Sequence, residues 1–63
     1  MQISKENKAR LEKLGFNHIV VNNEDTIIAA TISYRHSILI ENVLNAHLGL
    51  EYYTLAIDKC EIV

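Results

Sequence analysis

The sequence predicts a small α+β domain in the order α-β-β-α-β, with an optional final β. Three observations carry that expectation. Ser4 and Gly15 bracket one segment of helical periodicity, and Ser37 and Gly49 bracket another. Between them, two runs rich in β-branched residues flank the turn-forming connector Asn22-Asn23-Glu24-Asp25. The expected architecture is a mostly antiparallel sheet of three or four strands. One amphipathic helix packs on it, and an N-terminal helix docks loosely.

The first helix is expected over 5–14. Ser4 is a good N-cap, and Glu6 puts a negative charge in the first turn, where the helix dipole favours it. Gly15 supplies the left-handed residue that ends the helix, so that Phe16 can fold back on Leu11 in a Schellman ending. Strands follow at 18–21 and 26–34, joined as a hairpin. In the second, Ile28, Ala30, Ile32 and Tyr34 are expected on one face and Ile27, Ala29, Thr31 and Ser33 on the other. Neither face carries a charge, which suits a central or interfacial strand. A single long helix from Thr26 to Leu48 competes with this reading. The β-branched isoleucines with Thr26, Thr31 and Ser33 favour extension.

Ser37 is expected to cap the second helix, 38–48, with Glu41 in its first turn, Gly49 at its end and Leu50 touching Leu44. Leu39, Ile40, Val43, Leu44, Ala46, His47 and Leu48 spread over about 200° of this helix. Glu41, Asn42 and Asn45, with Ile38 among them, mark the expected water face. A helix packed on one sheet needs an apolar stripe of only about 100°. The surplus calls for a second contact. Ile40, Val43 and His47 are expected on the chain's own sheet, with Leu44, His47, Leu48 and Tyr52 at an interface. A third strand over 51–57 and a short segment over 60–63 complete the chain.

Sixty-three residues make one domain, 1–63. Chains of about 60 residues bury only about 60% of their unfolded surface and are marginally stable unless something supplements the core. Cys60 is the only cysteine, which excludes an intrachain disulfide and leaves little for a thiolate zinc site. Oligomerisation remains, most simply a two-fold dimer. Apolar residues at 49% favour a globular chain over a disordered one. The opening MQISKENKAR has no apolar core of a secretory signal, and no run approaches the roughly 18 apolar residues of a membrane span. The expected setting is a reducing cytoplasm. Absence of proline and abundance of Ile, Asn and Lys suit an AT-rich genome, such as that of a phage or other mobile element.

The net charge of −2 is unevenly placed. Lys5, Lys8, Arg10 and Lys13 make the first helix mildly basic, while residues 23–63 are acidic despite Arg35 and Lys59. A nucleic-acid reading would use those four residues and Arg35 on phosphates, with Phe16, Tyr34, Tyr52 and Tyr53 stacking on bases. A pI near 5.8 argues against it.

His18, His36 and His47 share no helix face at i,i+4, so no metal-ligand pair is spelled out, and no cofactor motif is present. Ser33, Tyr34, Arg35, His36 and Ser37 could gather near an anion at a helix N-terminus, but the glycines of a phosphate loop are missing. A triad from Ser33 or Ser37 with His36 and Asp58 lacks a nucleophile elbow. Asp58 and Glu61 are expected to raise the pKa of Cys60. His47, within the apolar arc, would make an interface pH-sensitive or else be satisfied by a backbone carbonyl.

The expected function is therefore a non-enzymatic protein–protein interaction module, a self-associating regulator or inhibitor with itself and another protein as partners. A nucleic-acid-binding regulator and an accessory subunit of a larger enzyme are the alternatives.

Overall fold

The computed structural model describes residues 1–49 and 51–63. Its elements are β1 (Gln2–Ile3), α1 (Lys5–Lys13), β2 (His18–Val21), β3 (Ile27–Thr31), α2 (Tyr34–Leu48), β4 (Tyr53–Ala56), a 3₁₀ turn (Ile57–Lys59) and β5 (Glu61–Ile62). The chain is a small α+β domain with two helices and a three-stranded antiparallel sheet of order β3-β2-β4.

Local chemistry fixes the ends of the elements. Ser4 accepts a hydrogen bond from the Asn7 N–H at 3.0 Å and so caps α1. At the other end Gly15 has φ +91°. Its N–H donates to the Glu12 carbonyl and that of Phe16 to the Leu11 carbonyl, which is the hydrogen-bond pair of a Schellman ending. The hairpin turn is held by Asn22, whose Oδ1 accepts from the backbone N–H groups of Glu24 and Thr26, both at 2.9 Å. This Asx turn lets Asp25 take the left-handed conformation, φ 59°.

The sheet register divides two environments. Ile19 and Val21 pair with Ala30 and Leu55, and with Ile27 and Tyr53, on one face. His18 and Val20 pair with Thr31 and Ala56, and with Ala29 and Thr54, on the other. The first face carries the core, a cluster of Ile3, Ile19, Val21, Ile57 and Cys60, with Leu11 and Phe16 packed against it. α1 contributes no buried residue of its own. The second face lies against α2, which touches β2, β3 and β4.

Four expectations are corrected. Residues 60–63 do not extend the main sheet: β5 pairs in parallel with β1, an element the sequence did not announce. The Glu61 N–H donates to the Met1 carbonyl and the Val63 N–H to the Ile3 carbonyl, closing this ribbon beside the core. β3 stops at Thr31 rather than Tyr34 and does not alternate cleanly. Val20 pairs with Ala29 but Val21 with Ile27, so Ile28 is extruded as a bulge and stands 44% exposed. Ile27 therefore joins Ala30 on the core face. The cap of α2 is Ser33, which accepts from the His36 N–H at 3.2 Å, so the helix begins before Ser37. The third strand is shorter than 51–57, because Tyr52 spends its backbone groups on the Asn45 side chain and Ile57 opens the 3₁₀ turn. The expected contact of Leu50 with Leu44 lies outside the described residues.

Candidate interaction surface

α2 faces its own sheet with its polar side chains. Ser37 is fully buried, and its hydroxyl lies 2.7 Å from that of Thr31. Thr31 Oγ1 also donates to the Ser33 carbonyl at 2.6 Å, so the start of the helix is tied to the end of β3. At the far end Asn45 donates from Nδ2 to the Tyr52 carbonyl at 3.1 Å and accepts from the Tyr52 N–H at 2.7 Å. That pair mimics a ladder step and leads the chain into β4. Ile38, Glu41 and Asn45 are half-buried, not the water face that the periodicity suggested. The sheet explains the rotation. Beneath α2 it offers Ala29, Ala56, Thr31 and Thr54 around Val20, small or hydroxyl-bearing side chains. A buried hydroxyl must be hydrogen-bonded, and Ser37 supplies what Leu39 or Val43 could not. Thr54 Oγ1 is buried in this region without a partner among the described residues.

The apolar arc consequently turns outward. Leu39 is 57% and Val43 56% exposed, and together with half-buried Ile40 and Leu44 they line a shallow, wholly apolar groove. Leu39 and Val43, at i and i+4, form a ridge with Ala46 beyond it. Val43 and His47, expected on the chain's own sheet, are both exposed, and that expectation is overturned. The exposure of His47 overturns its expected place on the chain's own sheet and the reading of it as partly buried within the fold. Of the residues expected at an interface, Leu48 is exposed, Leu44 and Tyr52 are half-buried, and His47 stands on the outer face. The ridge centred on Leu39 and Val43 was not singled out as the contact. Its signal was present in the sequence, in a buried-face requirement set by Thr31 and Asn45.

The basic residues are not gathered into one patch. Lys5 and Lys8 border an open groove with Ala9, Glu12 and Ile62, and Arg10 pairs with Glu6 at 3.8 Å. Lys13 lies in the last turn of α1, where its charge complements the helix dipole. Arg35 is on α2, across the sheet from α1.

The remaining chemistry-bearing side chains serve the fold. Ser33 is a cap and Ser37 a buried hydrogen-bonding group, and among the described residues neither is hydrogen-bonded to His36 through its ring or to Asp58. His18 Nδ1 lies 2.7 Å from Asn17 Oδ1, and its ring meets Tyr34 edge-on at 5.6 Å between centroids. Cys60 is buried, and that burial raises its thiol pKa from 9.0, opposed by the nearby chain terminus and Lys8. The expected cause, Asp58 and Glu61, is corrected to desolvation. Among the described residues no group of three His, Cys, Asp or Glu side chains is placed to hold a metal ion, and no helix is long and apolar enough to cross a membrane.

Comparison with protein-family models, with curated proteins and with solved structures finds no match to this chain.

Proposed function

We propose that this chain is a small non-enzymatic protein–protein interaction module, a self-associating cytoplasmic regulator or inhibitor, and that the outer face of α2 is its contact surface. The observation that carries the reading is the inverted helix: Ser37 and Asn45 hold the sheet while Leu39 and Val43 stand in water. Apolar patches rimmed by polar groups mark interaction sites, and an isolated surface helix gains nothing from them. Size and composition fit the compact regulators of phages and mobile elements.

The test is a double variant, Leu39→Asp with Val43→Asp, compared with the parent by circular dichroism and by light scattering after gel filtration. Both side chains are more than half exposed, so the variant is expected to keep its spectrum and lose association. A folded variant that assembles as the parent does would contradict the reading.

A further inference from the structure

We infer that β3 is the strand through which this chain pairs with a second copy of itself, antiparallel about a two-fold axis, joining two three-stranded sheets into one. The inference rests on the reading of the chain as self-associating and adds the strand and its register.

Backbone hydrogen bonds identify the open edge. The Ile57 N–H donates to the Asn17 carbonyl, in register with the β2–β4 pairs. Hydrogen-bonded and non-hydrogen-bonded pairs alternate from there, so Ile19 and Val21 spend their N–H and C=O groups on β4. Ile27 and Ala30 lie opposite these two residues on the other side, and their own backbone groups therefore face away from β2. The bond from the Asn22 N–H to the Thr26 carbonyl fixes the same phase. Among the described residues nothing pairs with these outward groups. The β4 edge differs, because it is closed at both ends. Both Tyr52 groups are taken by the Asn45 side chain, and the Ala56 carbonyl accepts from the Cys60 thiol at 3.8 Å. Edge strands are commonly guarded by a charge or a proline, and residues 26–34 contain neither.

The strand also matches itself. With a two-fold axis between Ile28 and Ala29, Ile27 meets Ala30 of the second copy and Ile28 meets Ala29, twice over. Each large side chain faces a small one, and the outward groups of Ile27 and Ala30 form hydrogen-bonded pairs. The bulge leaves two residues between those outward positions where a regular strand has one. A second copy brings the same spacing; a strand of another protein would have to bulge at the same place.

The helices follow. The axis is perpendicular to the sheet, so both α2 helices lie on one face of the joined sheet. Tyr34 meets His18 of β2 and Asn45 holds the residue before β4, so that flank of α2 points toward β4. At about 100° per residue, the groove of Leu39, Ile40, Val43 and Leu44 is centred on the opposite flank. The grooves of the two copies are thus turned toward each other across the axis.

The experiment is amide hydrogen exchange of the parent chain from low to high micromolar concentration, with sedimentation equilibrium of variants. The Ile27 and Ala30 amides should exchange about tenfold more slowly at the high end, while that of Thr54, outward on the other edge, should not change. Ile28→Lys, at a position 44% exposed, should keep the circular dichroism spectrum and weaken association at least about tenfold, since two like charges then meet at the axis. If Leu39→Asp with Val43→Asp abolishes association but the Ile27 and Ala30 amides exchange at one rate throughout, the strand pairing falls and the α2 surface stands. If Ile28→Lys abolishes association and that double variant does not, the pairing stands and the α2 surface falls. A parent chain that stays monomeric at high micromolar concentration overturns both.

Discussion

The two faces of the three-stranded sheet are built on opposite principles. On one, Ile19 and Val21 meet Ile3, Ile57 and Cys60 in an apolar cluster that the β1–β5 ribbon and Leu11 of α1 close over. On the other, Thr31, Ser37 and Asn45 join α2 to the sheet region through hydrogen bonds, and Leu39, Val43 and Leu48 of the helix stand exposed while Ile38, Ile40 and Leu44 are half-buried. Apolar contact is non-directional and grows with area, whereas each hydrogen bond adds only about 0.5–1.5 kcal/mol net but fixes an orientation. The core face therefore supplies cohesion. The helix face supplies alignment, and leaves α2 with apolar surface to spare.

The sharpest way to break the comparison is to empty the core face. Ile19→Ala, at a fully buried position, should cost about 2–5 kcal/mol and unfold much of so small a domain, as measured by urea denaturation. The seam under α2 should respond less. Thr31→Val keeps the shape but leaves the Ser37 hydroxyl and the Ser33 carbonyl without their donor or acceptor, for an expected loss of about 1–3 kcal/mol by the same assay. A loss as large as that of Ile19→Ala would erase the distinction between the faces.

Thr54→Val should go the other way. Its hydroxyl is already buried and, among the described residues, unpartnered, so the isosteric apolar side chain is expected to stabilise by about 1 kcal/mol, visible as a higher urea midpoint. The smallest effect concerns alkaline pH. Burial raises the Cys60 thiol above 9.0. Desolvation, with the hydrogen bond donated to Asp25 at 2.9 Å and the charge of that carboxylate, raises Tyr53 above 10.0. Each group holds its proton longer when folded than unfolded. Its contribution is therefore complete below the ordinary value and is lost as pH rises through the raised one. Stability should decline above about pH 9, and Cys60→Ala should flatten the earlier part of that decline, measured by urea midpoints across pH.

Much of this was legible in the chain. Ser4, Gly15, Asn22 and Gly49 act through their nearest neighbours, and caps and turns are set within four residues, so sequence pattern suffices for them. What escaped was set at long range. β1 is two residues long and acquires its partner from the opposite end of the chain, so no local pattern marks it. The bulge at Ile28 depends on how β2 pairs, and it undoes the strict alternation read from 26–34. The orientation of α2 followed a rule that the apolar arc seeks the core. Thr31 and the Tyr52 backbone imposed a stronger one, since their buried polar groups needed Ser37 and Asn45. The surplus of apolar surface was read correctly in amount and misplaced in direction.

The central claim is that the outer face of α2 is covered by another copy of this chain. Thermal melting of the parent from low to high micromolar concentration tests it most directly, because only a self-associating native state gains stability by mass action. The account predicts a melting temperature that rises with concentration, together with a sedimentation mass approaching twice the 7.2 kDa of the chain. A concentration-independent melting temperature with a mass of 7.2 kDa throughout would contradict it.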